Sequence, residues 1–298
     1  MWTLDSPNKE LKVMIEQQGD GSLRYCVSKH GKKVIEESSM GICTDLGDFT
    51  DGLLFEKEER DSIREEYSIP VGKKEVYTNH AQELALCFRA HESEFTVRLR
   101  AFDDGMAFRY EIRTSGKDTF LVKRENTEFR ISENCDKLWL QDWIPTYEGP
   151  YNARNWDKSM NGQPFGMPSL FFSETDGEWI MLNEANVINT NGSYCSCHLV
   201  GNENRCMSVG FAPEEKGKPV KTRLPFQSPW RYAVAADNLD ELVNSTINYN
   251  LNPPSVIEDT SWIARACSLV VVEDMNGAQH TWNPEIMWIW RRHMALKG

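Results

Sequence analysis

From Leu11 the chain alternates apolar and polar positions: Leu11, Val13 and Ile15 face one way, Lys12, Met14 and Glu16 the other. Gly19-Asp20-Gly21 turns the chain, and Leu23, Tyr25 and Val27 resume the alternation before His30-Gly31 turns it again ahead of Val34-Ile35. A period of two broken by glycine turns predicts a β-meander. The segment from Asp45 to Lys74 is acidic and irregular, with Asp51-Gly52 and Pro70 as breakers, and reads as a long loop with short strands. The clearest hairpin follows. Phe95, Val97, Leu99 and Ala101 alternate with Thr96, Arg98 and Arg100, and Met106, Phe108, Tyr110 and Ile112 answer them. Asp103-Asp104-Gly105 is the expected turn between them, with glycine supplying a positive φ. The arginine-bearing faces, Arg98, Arg100 and Arg109, are expected to meet solvent or acidic loops.

Short strands are also predicted at Phe120 to Val122, Phe129 to Ile131, Leu138 to Leu140, Leu170 to Phe172, Trp179 to Leu182 and Trp230 to Val234. Their spacing is that of a sandwich. One helix is expected late in the chain. Asn238 caps it, Glu241 stands three residues on as in a capping box, and Leu239, Leu242, Val243 and Ile247 form its apolar face. The fold class is therefore mainly β, a large antiparallel β-sandwich.

A length of 298 residues with 40% hydrophobic and 26% charged positions describes a soluble globular chain able to bury a large core. A net charge of −12 argues against nucleic acid or an anionic membrane as the main partner, since both repel it. No apolar run is long enough to span a bilayer. The start, MWTLDSPNKELKV, lacks a basic segment followed by an apolar one, so no signal peptide is visible and the chain as it stands is expected in the cytoplasm. The eight cysteines match no zinc or thioredoxin spacing and read as scattered thiols in a reducing compartment. The six histidines form no paired metal signature.

The densest chemistry lies between Trp143 and Asn186. Glu148 and Glu184 sit there among Trp143, Tyr147, Tyr151, Trp156 and Trp179. Aromatic faces beside acids suit a sugar, whose ring offers an apolar C–H face and a rim of hydroxyls. The same residues also fit a Gly-Pro turn and a packed core. Both readings stand on the sequence.

The segments SPNKELKV, GSLRYCVSKHGKKVI, LRAFDDGMAFRYEI, TYEGPY, LNEANV, SPWRYAV, NLNPPS and DTSWI occur in this order. With them the chain resembles, from about Ser6 to Ile263, the N-terminal domain of glycoside hydrolase family 97. The resemblance implies a galactose-mutarotase-like super-sandwich over 1–258, with 259–298 beginning the connection to a (β/α)8 barrel. Family members are α-glucosidases or α-galactosidases, often exported, whose catalytic acids and bases lie in the barrel beside a calcium ion. One calcium ligand comes from the N-terminal domain, and by resemblance it falls on Glu148. A carboxylate lent across a domain boundary suits a hard cation that takes several oxygens. Glu184, Tyr147 and Trp156 are the further candidates for lining the carbohydrate site or supporting its residues.

After Ile263 the sequence departs from the family and runs ARACSLVVVEDMNGAQHTWNPEIMWIWRRHMALKG. Methionine and tryptophan have single codons, so Met287-Trp288-Ile289-Trp290 nearly fixes the bases beneath it. Read from the third base of the Met287 codon, those bases spell V-D-M-A-A-x-Y-G when the arginines use CGG. This resembles an "IDFAA" helix segment of the family's early barrel. The expectation is a reading-frame slip soon after Ile263. Hydrolysis of the family type needs an acid and a base or nucleophile flanking the glycosidic bond, and those belong to the barrel, so the chain alone is expected to be inactive. The alternatives are a free-standing carbohydrate-binding sandwich and a mutarotase; the second needs a histidine beside a glutamate, and only His198 lies near the 143–186 stretch.

Overall fold

A computed structural model describes residues 1–69, 72–116, 118–146, 148–189, 192–193, 197–211 and 219–262. Tyr147 and the tail after Ile263, expected to be frame-shifted, lie outside the described residues. Met1–Glu258 forms one compact unit.

Two large sheets form the body of this unit, together with a three-stranded sheet of Val220–Arg223, Thr119–Glu125 and Ile42–Thr44 and a two-stranded one of Ile188–Asn189 and Gly192–Ser193, and every ladder among the described strands is antiparallel. The eight-stranded sheet runs in the spatial order Trp2–Asp5, Leu11–Gln17, Leu23–Lys29, Lys32–Met40, Glu128–Ile131, Cys206–Phe211, Cys197–Asn202 and Pro164–Phe165. The ten-stranded sheet runs Tyr151–Arg154, Cys135–Gln141, Ser169–Ser173, Trp179–Ala185, Trp230–Ala236, Gly105–Arg113, Ser93–Phe102, Val76–Ala90 and Leu54–Ser68, with Phe226–Gln227 paired beside Gly105–Arg113. The alternating positions read from the sequence meet between the sheets. Leu11, Val13, Ile15, Tyr25 and Val27 pack in one core with Phe95, Val97, Leu99, Phe108, Tyr110 and Ile112. Tyr25 and Phe129 of one sheet reach Phe108 of the other at ring distances of 5.3 and 6.2 Å. Burying each such ring contributes about 1.5–3 kcal/mol, so this cross-sheet stack is a principal source of cohesion. The sandwich is the architecture that two sheets, each apolar on one face, adopt to hide those faces.

Three expectations need correction. Leu54–Ser68, expected within a long irregular loop, is a single strand of 15 residues at the edge of the ten-stranded sheet. Its register with the next strand runs unbroken from Lys57↔Cys87 to Ser68↔Val76. Almost every side chain on it is exposed, so no apolar period marks it. Its cohesion comes from the ladder, from pairs such as Arg89–Glu56 at 2.6 Å, and from Tyr67 stacked on Tyr77 at 5.3 Å. The dense charge protects an otherwise open edge from pairing with other chains.

The hairpin turn is Asp103-Asp104, because Phe102 already faces Gly105 across the ladder. Gly105 is needed for space rather than for a positive φ, since a Cβ there would lie 2.2 Å from Ala233 O. The expected single helix is two short ones, Leu239–Asn244 and Ile247–Leu251, separated at the extended Ser245. Asn238 does cap the first, accepting from Glu241 N at 3.0 Å. Leu242, Ile247 and Leu251 pack on the outer face of the ten-stranded sheet, whereas Leu239 and Val243 are 52% and 61% exposed.

At the end of the sandwich that carries the Cys135 and Ser173 strand termini, burial pushes the Glu178 carboxyl up to about 7, with Lys29 opposing and Asp237 and Asp176 adding to the rise. Such an acid keeps in the folded state a proton that the unfolded chain releases near pH 4.3. Its contribution to stability is therefore full below that value and is lost as pH rises toward 7. The Glu178→Gln variant should accordingly show a smaller drop in melting temperature between pH 5 and pH 8 than the parent. An identical drop in both would contradict the assignment.

Candidate functional site

Gln141 and Tyr151 face each other across the ladder at the end of their strands and close the loop that carries Trp143 and Glu148. Within the loop Glu148 is exposed, Gly149 O accepts from Gln141 Nε2, and Arg154 pairs with Asp142 at 2.6 Å. Tyr151 OH donates to Pro168 O at 2.9 Å. Ile144 and Tyr151 are 37% and 42% exposed, so the segment that carries the exposed Glu148 also presents apolar and aromatic surface.

Glu184 lies elsewhere. It sits in the interior, where one guanidinium gathers two carboxylates: Arg231 Nη1 is 2.5 Å from Glu184 Oε2, and Arg231 Nη2 is 2.6 Å from Glu125 Oε1. Arg231 Nε also donates to Glu125 Oε2 at 3.1 Å, and its Nη2 reaches Cys197 Sγ at 3.1 Å. The other Glu184 oxygen accepts from Cys197 N at 3.4 Å. Burial pushes the Glu184 carboxyl up from its ordinary value, and Arg231 opposes that rise. The cluster ties four strands together, Trp230–Ala236, Trp179–Ala185, Thr119–Glu125 and Cys197–Asn202, largely through charge-assisted bonds. Both carboxylates are held by Arg231, an arrangement that leaves little for proton transfer to a sugar.

The aromatics of the stretch are distributed over three places. Trp156 stacks on Phe171 at 5.7 Å and 11°, is crossed by Arg205 at 5.9 Å, and donates from Nε1 to Cys135 O at 3.0 Å. Trp143 meets His198 at 5.2 Å. Trp179 packs against Phe172 and Trp139 at 4.5 and 5.2 Å.

The arginines of the central hairpin also depart from expectation. Arg98 bonds Glu111 at 2.8 Å and Glu83 at 2.7 Å, Arg100 bonds Glu83 at 2.8 Å, and Arg109 bonds Glu111 at 3.0 Å. Arg100 and Arg109 also lie over the buried Trp230 ring at 4.8 and 4.5 Å. They form a mostly buried charge lattice rather than a solvated face. The signal was present in the register: Glu83 stands opposite Arg100 and Glu111 opposite Thr96, beside Arg98.

A calcium ion takes six to eight oxygen ligands. Among the described residues no group of three or more His, Cys, Asp or Glu is gathered where a metal ion would sit. With Glu148 as a lone exposed carboxylate, the described residues of the sandwich do not by themselves fit calcium. None of the described cysteines, Cys26, Cys43, Cys87, Cys135, Cys197 and Cys206, is in a disulfide.

Comparison with known proteins places this geometry. The chain is 28% identical over 267 residues to a probable retaining alpha-galactosidase of Streptomyces bingchenggensis, covering 88% of the chain and 40% of that protein. It is 24% identical over 289 residues to a retaining alpha-galactosidase of Bacteroides thetaiotaomicron, covering 88% of the chain and 42% of that protein. Among solved structures, a glycoside hydrolase family 97 enzyme from Pseudoalteromonas sp. strain K8 in complex with panose superposes with a TM-score of 0.78 at 25% identity, over 88% of this chain and 39% of that one. The chain thus spans about two fifths of the length of the curated relatives it matches. The model of the glycosyl-hydrolase 97 N-terminal domain matches residues 4–254, nearly the whole two-sheet unit, and the chain belongs to that family.

Proposed function

We propose that this sandwich serves as the N-terminal domain of an α-glycosidase acting on α-linked galactosides or glucosides, and that it completes a carbohydrate site formed mainly by a catalytic (β/α)8 barrel. Two relatives are alpha-galactosidases and a structural neighbour is bound to panose, which supports the α-glycoside class and leaves both sugars in play.

The observation that carries the reading is where Glu148 stands. The strands Cys135–Gln141, Ser169–Ser173 and Trp179–Ala185 are adjacent and antiparallel, so Gln141 and Ala185 lie at the same end of the sheet. Beyond Ala185, Asn186 N donates to Asn252 Oδ1 at 3.0 Å. The chain therefore leaves its last helix at the end of the sheet that presents the Glu148 loop, two strands or roughly 10 Å away. A domain joined after that point enters on the side where the exposed carboxylate is offered. In this reading Glu148 lends one oxygen ligand to a calcium whose other ligands come from the barrel.

Retaining and inverting glycosidases alike require two carboxyl groups flanking the scissile bond. Glu125 and Glu184 are committed to Arg231, and Glu148 is single. The 298-residue chain should therefore release no nitrophenol from nitrophenyl α-galactoside or α-glucoside, with or without calcium. Turnover that is abolished by Glu148→Gln in this chain would contradict the proposal.

A further inference from the structure

The loop that carries Glu148 is fastened at its base by contacts that cross from one sheet to the other. After Gln141 the chain leaves the ten-stranded sheet, and Asp142 bridges to Phe165. Trp143 N then donates to Pro164 O at 3.1 Å. Pro164–Phe165 is itself the last strand of the eight-stranded sheet, paired with Val200 and Leu199. The backbone entering the loop is thus bound to the opposite sheet before it turns toward Glu148.

The side chain of Trp143 adds a second fastening. Its indole meets the imidazole of His198 at 5.2 Å and 43°. His198 is 5% exposed and stands directly opposite Gly210 across its ladder. Gly210 leaves the space that the ring occupies, since a Cβ there would lie 2.8 Å from His198 Nε2 and 2.9 Å from Cε1. The ring therefore lies between a bare main chain and an indole. The residue before it anchors the strand, because Cys197 N donates to Glu184 Oε1 and Cys197 Sγ touches Arg231. A buried charge cluster, a strand, a tilted ring contact and a loop follow one another without a gap.

We propose that Trp143, His198 and Gly210 form a clamp that sets the direction of the loop and so the position at which Glu148 is presented. His198 and Gly210 are positioning residues, acting through Trp143. The clamp rests on the contacts alone, and only its consequence for Glu148 rests on the function proposed above.

The test is hydrogen–deuterium exchange on the 298-residue chain, read at the amides of Trp143, Ile144, Thr146, Glu148 and Gly149 and at the Leu11–Lys29 hairpin as an internal reference. His198→Ala should speed exchange in the loop by about tenfold and leave the hairpin unchanged, since local opening is governed by local contacts. His198→Phe, which restores a ring, should return the loop to near the parental rate. Gly210→Ala should reproduce the effect of His198→Ala by displacing the ring, and the double variant should be no faster than His198→Ala, because both changes break one contact. Unchanged loop exchange in His198→Ala, equal acceleration throughout the sandwich, or a Phe variant as fast as the Ala variant would overturn the clamp. Glu148→Gln should leave loop exchange at the parental rate. Failure of the Glu148 reading is seen instead as undiminished activity of that variant in the longer enzyme.

Discussion

Arg231→Leu should destabilise the sandwich by about 3–5 kcal/mol in urea or thermal unfolding at neutral pH. The side chains of Arg231 and Glu125 are 1% and 0% exposed, and that of Glu184 is 11% exposed. Without the guanidinium two carboxylates face each other in a low-dielectric interior, and one or both must take up a proton. The Glu184 carboxyl, already raised by burial, then rises further above the unfolded range near 4.3. The loss should therefore be small near pH 4 and grow as pH climbs through and above that range, the sign expected when the folded state binds the extra protons. Replacing all three charges, as Glu125→Leu, Glu184→Leu and Arg231→Met together, should recover most of the loss, because the penalty comes from unpaired buried charge rather than from missing attraction. A single-variant loss below about 1 kcal/mol, within the range of ordinary surface changes, would show that the cluster is wetter or looser than its distances imply.

Glu148→Gln should have the opposite profile. The residue is exposed in a loop, so the stability of the sandwich should change by no more than about 0.5 kcal/mol. In a longer enzyme of the kind proposed above, hydrolysis should fall about 100-fold or more, since even groups that only orient a metal's ligands typically contribute 10–100-fold. Glu184→Gln should show the reverse pattern, losing stability by weakening the contact with Arg231. The pair of variants separates a carboxylate that serves a site from one that serves the fold. Full activity of Glu148→Gln would remove Glu148 from the carbohydrate site.

Much of the architecture was legible because burial on one sheet face imposes a period of two. The Leu11–Ile35 meander and the Phe95–Ile112 hairpin both appear where that alternation is cleanest. Leu54–Ser68 escaped because it is an edge strand exposed on both faces, so nothing but backbone pairing records it. The arginine lattice escaped for a related reason. Arg98, Arg100 and Arg109 look like a polar face, and only the neighbouring strand reveals the glutamates that neutralise them. Glu148 and Glu184 were indistinguishable as letters, each lying among aromatics. Their environments differ because Glu184 falls opposite Arg231 in the ladder, whereas Glu148 falls in the loop beyond Gln141. The clamp carried little local signal: His198 and Gly210 face each other within one hairpin, but Trp143 reaches them only through the tertiary fold.

In the function proposed above, this sandwich works as one part of a longer glycosidase. The most direct measurement is the DNA sequence of the gene from the codon for Trp262 onward. The expected result is an open frame that continues into a (β/α)8 barrel with carboxylates at its strand ends. A frame that closes with nothing similar encoded beyond it would contradict the account, and would make sugar binding by a free-standing sandwich the activity to measure.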